Sequence, residues 1–175
     1  MSDQQRAARG THQPYGDAGH VSVARVRAPA EFLELHRLLV VYELDLPEEL
    51  RHGSVPEPVE LARVYAAPNA AFLARLDASP VGCVVCKVQE ASTAVLARLY
   101  VEPHARKSGA GRALVNAVVD FARAGGCERL VLDTHSELLP AAYRLYTALG
   151  FVEYEPECDA DTIVCPTFME LLLTP

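Results

Sequence analysis

No apolar run in this sequence reaches the roughly 18 to 20 residues needed to cross a bilayer. The longest candidates are interrupted by Glu43, Asp45, Asn116, Asp120 and Arg123. No membrane-spanning segment is therefore expected. Positive charge is also scarce: 16 Lys and Arg stand against 23 Asp and Glu, a formal net charge of -7. Nucleic-acid binding relies on a broad basic surface, so nucleic acid is not the expected partner. The first 20 residues are polar and lack the apolar stretch of a secretory signal, and a cytoplasmic location is expected. The five cysteines, at positions 83, 86, 127, 158 and 165, lack the dense, regular spacing of a disulfide framework and read as free thiols. Cys83 and Cys86 form a lone C-x-x-C inside an apolar, strand-like run. Their odd offset puts them on opposite faces, and no second pair stands at zinc spacing, so no metal is expected.

What remains is an ordinary globular composition: half of the 175 residues are hydrophobic and 22% are charged. That length supports one well-filled core. Residues 1–19 read as a loose tail and residues 20–175 as a single domain. Residues 21–27 alternate apolar and polar and predict a strand. Pro29 then opens a helix carrying Phe32, Leu35, Leu38, Leu39 and Tyr42 at helical spacing. Pro47, Gly53, Pro56 and Pro58 break the chain before a short helix near 59–66. Residues 71–76 and 81–88 predict a hairpin around the turn Asp77-Ala78-Ser79-Pro80. Residues 94–101 form the next strand, 111–124 a helix ended by Gly125-Gly126, and 130–132 a buried strand. Such a strand, helix, strand unit joins parallel strands by a right-handed crossover, with ligands at their carboxyl ends. A helix over 141–149, closed by Gly150, and strands at 151–155 and 168–173 complete an α/β (α+β) chain with a mixed sheet and helices on both faces.

Between the strand ending Tyr100-Val101-Glu102-Pro103 and the helix that follows stands Arg106-Lys107-Ser108-Gly109-Ala110-Gly111. A helix N-terminus presents unpaired N–H groups and the positive end of its dipole, and glycine lets an anion approach the main chain. Arg106, Lys107 and Arg112 make this a cationic patch within an acidic protein. It is not a P-loop, because no Gly-Lys-Ser/Thr follows.

Taken in order, Leu99-Tyr100-Val101-Glu102-Pro103, Arg106-x-x-Gly109-x-Gly111 and Leu145-Tyr146-x-x-Leu149-Gly150-Phe151 resemble the acyl-CoA signature of the GNAT superfamily of N-acyltransferases. Asp133-Thr134 and Phe168-Met169-Glu170-Leu171 are similar to features of its small bacterial members. The resemblance implies a single-domain, mostly antiparallel sheet whose central parallel pair splays to hold acyl-CoA. It implies that the main chain of Lys107, Ser108, Gly109, Ala110, Gly111 and Arg112 holds the pyrophosphate of acetyl-CoA, with Arg106 shaping the loop and open to pairing with phosphate oxygens. Leu99, Tyr100 and Val101 would line pantetheine as though it were an added strand, one N–H polarising the thioester carbonyl. Thr134 and Tyr143 would complete the cofactor contacts.

The resemblance also implies that Tyr146 is the acid that protonates the departing thiolate, since a phenol with a pKa of about 10 is protonated at neutral pH. The base that takes the ammonium proton is open between Glu102, His104, Asp133 and His135, with Glu102 put forward beside Tyr146 as catalytic. Carboxylates at 153, 155, 157, 159 and 161 form either an anionic wall that attracts a cationic amine or a solvated edge strand. The expected activity is direct transfer of acetyl from acetyl-CoA to a primary amine of a small molecule without an acyl-enzyme, because no cysteine has an adjacent activating histidine. A protein N-terminus as acceptor, a non-catalytic acyl-CoA sensor and a homodimer all stay open.

Overall fold

The computed structural model describes residues 19–90, 92–155 and 166–173. The expected tail therefore lies outside the described residues, apart from Gly19, as do the carboxylates at 157, 159 and 161. The elements run β1 (Val21–Arg25), α1 (Pro29–Asp45), α2 (Pro58–Val64), β2 (Ala70–Leu76), β3 (Ser79–Glu90), β4 (Thr93–Val101), α3 (Ala110–Ala124), β5 (Arg129–Thr134), α4 (Pro140–Ala148), β6 (Val152–Glu153) and β7 (Thr167–Leu172). Short 3-10 turns at Glu48–Leu50 and Pro103–Ala105 follow α1 and β4. None of the described helices is long and apolar enough to cross a membrane.

The seven strands form one sheet in the order β1-β2-β3-β4-β5-β7-β6. Every pairing is antiparallel except β4 with β5. From β4 to β5, and from β5 past β7 to β6, the chain crosses over in the same direction. Right-handed crossovers therefore put α3 and α4 on one face. Their apolar sides pack with Phe72, Val84, Leu96, Leu130 and Leu132. Helices α1 and α2 cover the other face through Phe32, Leu35, Leu38, Leu39 and Leu61, against Leu73, Val85 and Tyr100.

Local chemistry explains the ends of these elements. Helix α1 starts with Pro29, and the Glu31 carboxylate accepts the N–H groups of Arg27 at 2.7 Å and Ala28 at 2.8 Å, which lowers its pKa. The β2–β3 turn is tighter than the four residues expected. Asp77 (φ 49°) and Ala78 (φ 71°) both adopt left-handed backbone, the geometry of a two-residue hairpin, and β3 begins at Ser79. Pro80 is tolerated in this central strand because the register shifts there by one residue. Strand β6 is also shorter than expected, covering only Val152 and Glu153, with one further bond from the Tyr154 N–H to the Phe168 carbonyl at 3.1 Å. Gly82 sits close against β4: a Cβ there would lie 2.6 Å from the Tyr100 carbonyl oxygen.

Candidate active site

The central cleft arises from pairing that stops. Strands β4 and β5 match only at Thr93↔Arg129, Ala94↔Leu130 and Val95↔Val131. Beyond that point β4 stays with β3 as far as Gly82↔Val101, and β5 stays with β7 as far as Thr134↔Thr167. Each strand follows its outer neighbour, so a wedge opens at the carboxyl ends of the parallel pair. A bulge in β4 sharpens the divergence. Val85 opposes Ala97 and Cys83 opposes Tyr100, which leaves one extra residue on β4, and Arg98 has a left-handed φ of 53°. After the bulge, Leu99 and Val101 pack toward α3 while Tyr100 is buried toward α1.

The glycine loop closes one end of this wedge. Lys107 (φ 69°) and Gly109 (φ 94°) turn the chain sharply into α3. The Ala110 N–H donates to Ser108 Oγ at 3.3 Å, the Ser108 N–H donates to the Ala105 carbonyl at 3.4 Å, and the first bond into the helix runs from the Ala113 N–H to the Gly109 carbonyl. Among the described residues, the N–H groups of Lys107, Gly109, Gly111 and Arg112 have no acceptor. Nothing lies within 4 Å of where a Cβ on Gly109 would stand, so the loop is open at its left-handed turn. Gly111 fits closely against α4, its would-be Cβ lying 3.3 Å from Leu145 Cδ2. The Lys107 and Arg112 side chains are exposed beside the loop. Arg106 points the other way. Its Nε donates to the Val101 carbonyl at 3.1 Å and its Nη2 to Asp45 Oδ2 at 2.6 Å, so it fastens the loop to the end of α1.

Tyr146 on α4 is buried, its ring centroid 5.6 Å from that of Phe151. Its hydroxyl has no hydrogen-bond partner among the described residues. Burial, reinforced by nearby Tyr42 and Asp133, raises its pKa further above the ordinary phenol value. Tyr42 on α1 is pushed up to about 12 by burial and then by Glu43, with Asp133 contributing. Thus α1, β5 and α4 bring Tyr42, Asp133 and Tyr146 within electrostatic reach of one another.

The remaining expected residues are dispersed. Glu102 accepts from Arg37 Nη1 at 2.7 Å and stands 3.7 Å from His104 Nδ1, at the loop end of β4. Asp133 is exposed on β5, and His135 follows that strand, its carbonyl accepting the Leu139 N–H at 2.8 Å. Thr134 is buried. Tyr143 donates its hydroxyl to Glu153 Oε1 at 2.6 Å, tying α4 to β6. Cys83 and Cys86 are buried on opposite faces of β3, and burial pushes both thiols up to about 12, the opposite of an activated nucleophile.

Sequence reading missed the cluster behind the bulge. Buried Glu43 accepts from Arg98 Nη1 at 3.0 Å and from the His52 main-chain N–H at 2.8 Å, and its Oε1 lies 3.0 Å from His52 Nδ1. Tyr42 packs between His52 and Tyr100, at centroid distances of 6.3 and 6.0 Å. An arginine within an otherwise apolar strand was the available signal.

Comparison with known proteins agrees with this geometry. The model of the Acetyltransferase (GNAT) family matches residues 35–151. An uncharacterised N-acetyltransferase of Schizosaccharomyces pombe is 31% identical over 143 residues, which cover 78% of this chain and 86% of that protein. N-alpha-acetyltransferase 30 of Mus musculus is 28% identical over 141 residues, 75% of this chain and 38% of that longer protein. Among solved structures, an acetyltransferase from Salmonella typhimurium with its cofactor acetyl-CoA superposes with a TM-score of 0.71 at 19% identity, over 88% of this chain and 94% of that one. The family pattern takes in the splayed pair, the glycine loop and α4 alike, and the chain belongs to the GNAT family of acetyltransferases.

Proposed function

We propose that this protein transfers the acetyl group of acetyl-CoA directly to a primary amine, most simply that of a small molecule. The observation that carries the reading is the parting of β4 and β5 beside a loop with unpaired N–H groups at Lys107, Gly109, Gly111 and Arg112. The wedge fits an extended amide-bearing arm, and the loop fits a diphosphate. The main chain of Leu99, Tyr100 and Val101 lines that arm, and Ser108 and Ala110 shape the bend. Arg106 acts by anchoring the loop.

Tyr146 supplies a proton to the leaving thiolate, and its raised pKa keeps the phenol protonated throughout the working range. An amine with a pKa near 10 must lose a proton before attack. Asp133 is the favoured base, acting directly or through water, because it is exposed and close enough to influence Tyr146. Glu102 is the weaker choice, since its carboxylate is engaged by Arg37 and it lies toward the loop.

The resemblance to N-alpha-acetyltransferase 30 favours a second reading, in which the amine is a peptide N-terminus. A thiol-release assay with acetyl-CoA, run in parallel on small amines and on short peptides, tests both. Turnover with small amines supports the first reading, and turnover confined to peptides supports the second. Saturable acetyl-CoA binding without thiol release from either panel would overturn both and leave a sensor.

A further inference from the structure

We infer that Glu43 is a positioning residue for acyl transfer: through Arg98 it holds the β4 bulge in the conformation that turns a main-chain N–H toward the thioester carbonyl. The inference rests on the proposed acetyl transfer and assigns the support that the transfer site needs.

Four described non-glycine residues have positive φ. Asp77 and Ala78 form a hairpin turn, and Lys107 forms the glycine loop, where the turn itself requires the conformation. Arg98 alone adopts it within a strand, at φ 53°. A left-handed L-residue is held only where its surroundings fix it. Pairing of β4 with β5 ends at Val95 and the bulge at Arg98 follows within three residues, so its main chain borders the wedge.

The surroundings that fix it are on α1. Arg98 Nη1 donates to Glu43 Oε1 at 3.0 Å, and the carboxylate is buried. The other oxygen of Glu43 accepts the His52 N–H at 2.8 Å, and His52 Nδ1 lies 3.0 Å from Oε1. With both oxygens engaged, Glu43 has little capacity to act as a base or to receive an ammonium group. Glu43 is buried and Arg98 half-buried, and the desolvation of the carboxylate offsets much of the attraction in such a pair, which makes it a poor source of net stability. Geometric constraint is the role left to it. The pair also ties α1 to the bulge across 55 residues of sequence.

The test uses the full chain and four variants: Glu43→Gln, Arg98→Ala, Arg98→Gly, and Glu43→Gln with Arg98→Gly. Glycine adopts left-handed backbone without support, so it separates the conformation from the charge. Thiol release gives kcat, titration with CoA lacking the acetyl group gives Kd, and the infrared carbonyl stretch of bound acetyl-CoA labelled with 13C reports polarisation. Glu43→Gln and Arg98→Ala should lower kcat about 10- to 100-fold, the loss expected of a displaced oxyanion donor, with CoA Kd nearly unchanged. In both, the carbonyl stretch should move toward that of free acetyl-CoA. Arg98→Gly should recover most of the activity and the stretch lost in Arg98→Ala, and adding Glu43→Gln to it should cause no further loss.

If Arg98→Gly loses as much as Arg98→Ala, the charge matters and the inference is overturned while acetyl transfer stands. Should Glu43→Gln fail to fold, the Arg98→Ala and Arg98→Gly pair decides alone. If the wild-type chain binds no acetyl-CoA, the proposed function itself fails.

Discussion

Replacing Gly109 with alanine separates a diphosphate-binding role from a mere turn. At φ 94°, Gly109 has a conformation that alanine resists by about 1 to 2 kcal/mol. No atom lies within 4 Å of the new Cβ, so a steric clash adds nothing within the protein. The melting temperature of a 175-residue chain should then fall by about 2 to 8 °C. Ligand affinity should suffer more. Gly109 lies in the loop that carries the unpaired amides of Lys107, Gly109, Gly111 and Arg112, so a shift of its backbone re-aims them. A hydrogen bond to a charged group contributes about 1.5 to 3 kcal/mol. Misaligning one or two of them should weaken CoA by about 2 to 4 kcal/mol, roughly a 30- to 700-fold rise in Kd. Calorimetry with CoA measures this. Pantetheine, which lacks the diphosphate, is titrated by NMR and should bind wild type and variant alike. Unchanged CoA affinity, or equal losses for CoA and pantetheine, would refute the reasoning.

Tyr146→Phe should lower kcat by about 10²- to 10⁴-fold with acetyl-CoA affinity intact; single-turnover kinetics at wild-type rate would remove the phenol from the chemistry. Gly82→Ala drives a Cβ to 2.6 Å from the Tyr100 carbonyl oxygen, and main chain cannot rotate away, so urea unfolding should show a loss of about 1 to 3 kcal/mol. Burial pushes the thiols of Cys83 and Cys86 up to about 12, whereas in the unfolded chain they ionise near pH 8.5. Because the folded-state values are raised, this contribution is complete below about pH 8.5 and is lost as pH rises toward 12, at about 1.4 kcal/mol per pH unit for each thiol. Urea midpoints that stay flat to pH 11 would contradict that burial.

The order of elements was legible because apolar periodicity carries it. Phe32, Leu35, Leu38, Leu39 and Leu61 form one core, and Leu114, Val115 and Val118 belong to the other. The glycine loop was legible because Gly109 and Gly111 stand between a strand and a helix, where few residue types serve. The bulge was not. One extra residue at Arg98 changes no composition and breaks the alternation of β4 only locally. Glu43 was read as a break in an apolar run, yet it is buried against an arginine 55 positions away, a pairing that no local pattern encodes. Arg106 was likewise read for its position in the loop, and its partner Asp45 lies 61 residues distant. The two-residue turn at Asp77 and Ala78 went unrecognised because neither residue is glycine.

The central claim is that main-chain amides at the head of α3 receive the diphosphate of CoA. Amide NMR of the 15N-labelled chain, titrated with CoA, tests it most directly. The account predicts saturable shifts and slowed hydrogen exchange at Lys107, Gly109, Gly111 and Arg112. Saturable binding that leaves those four amides unmoved would contradict it.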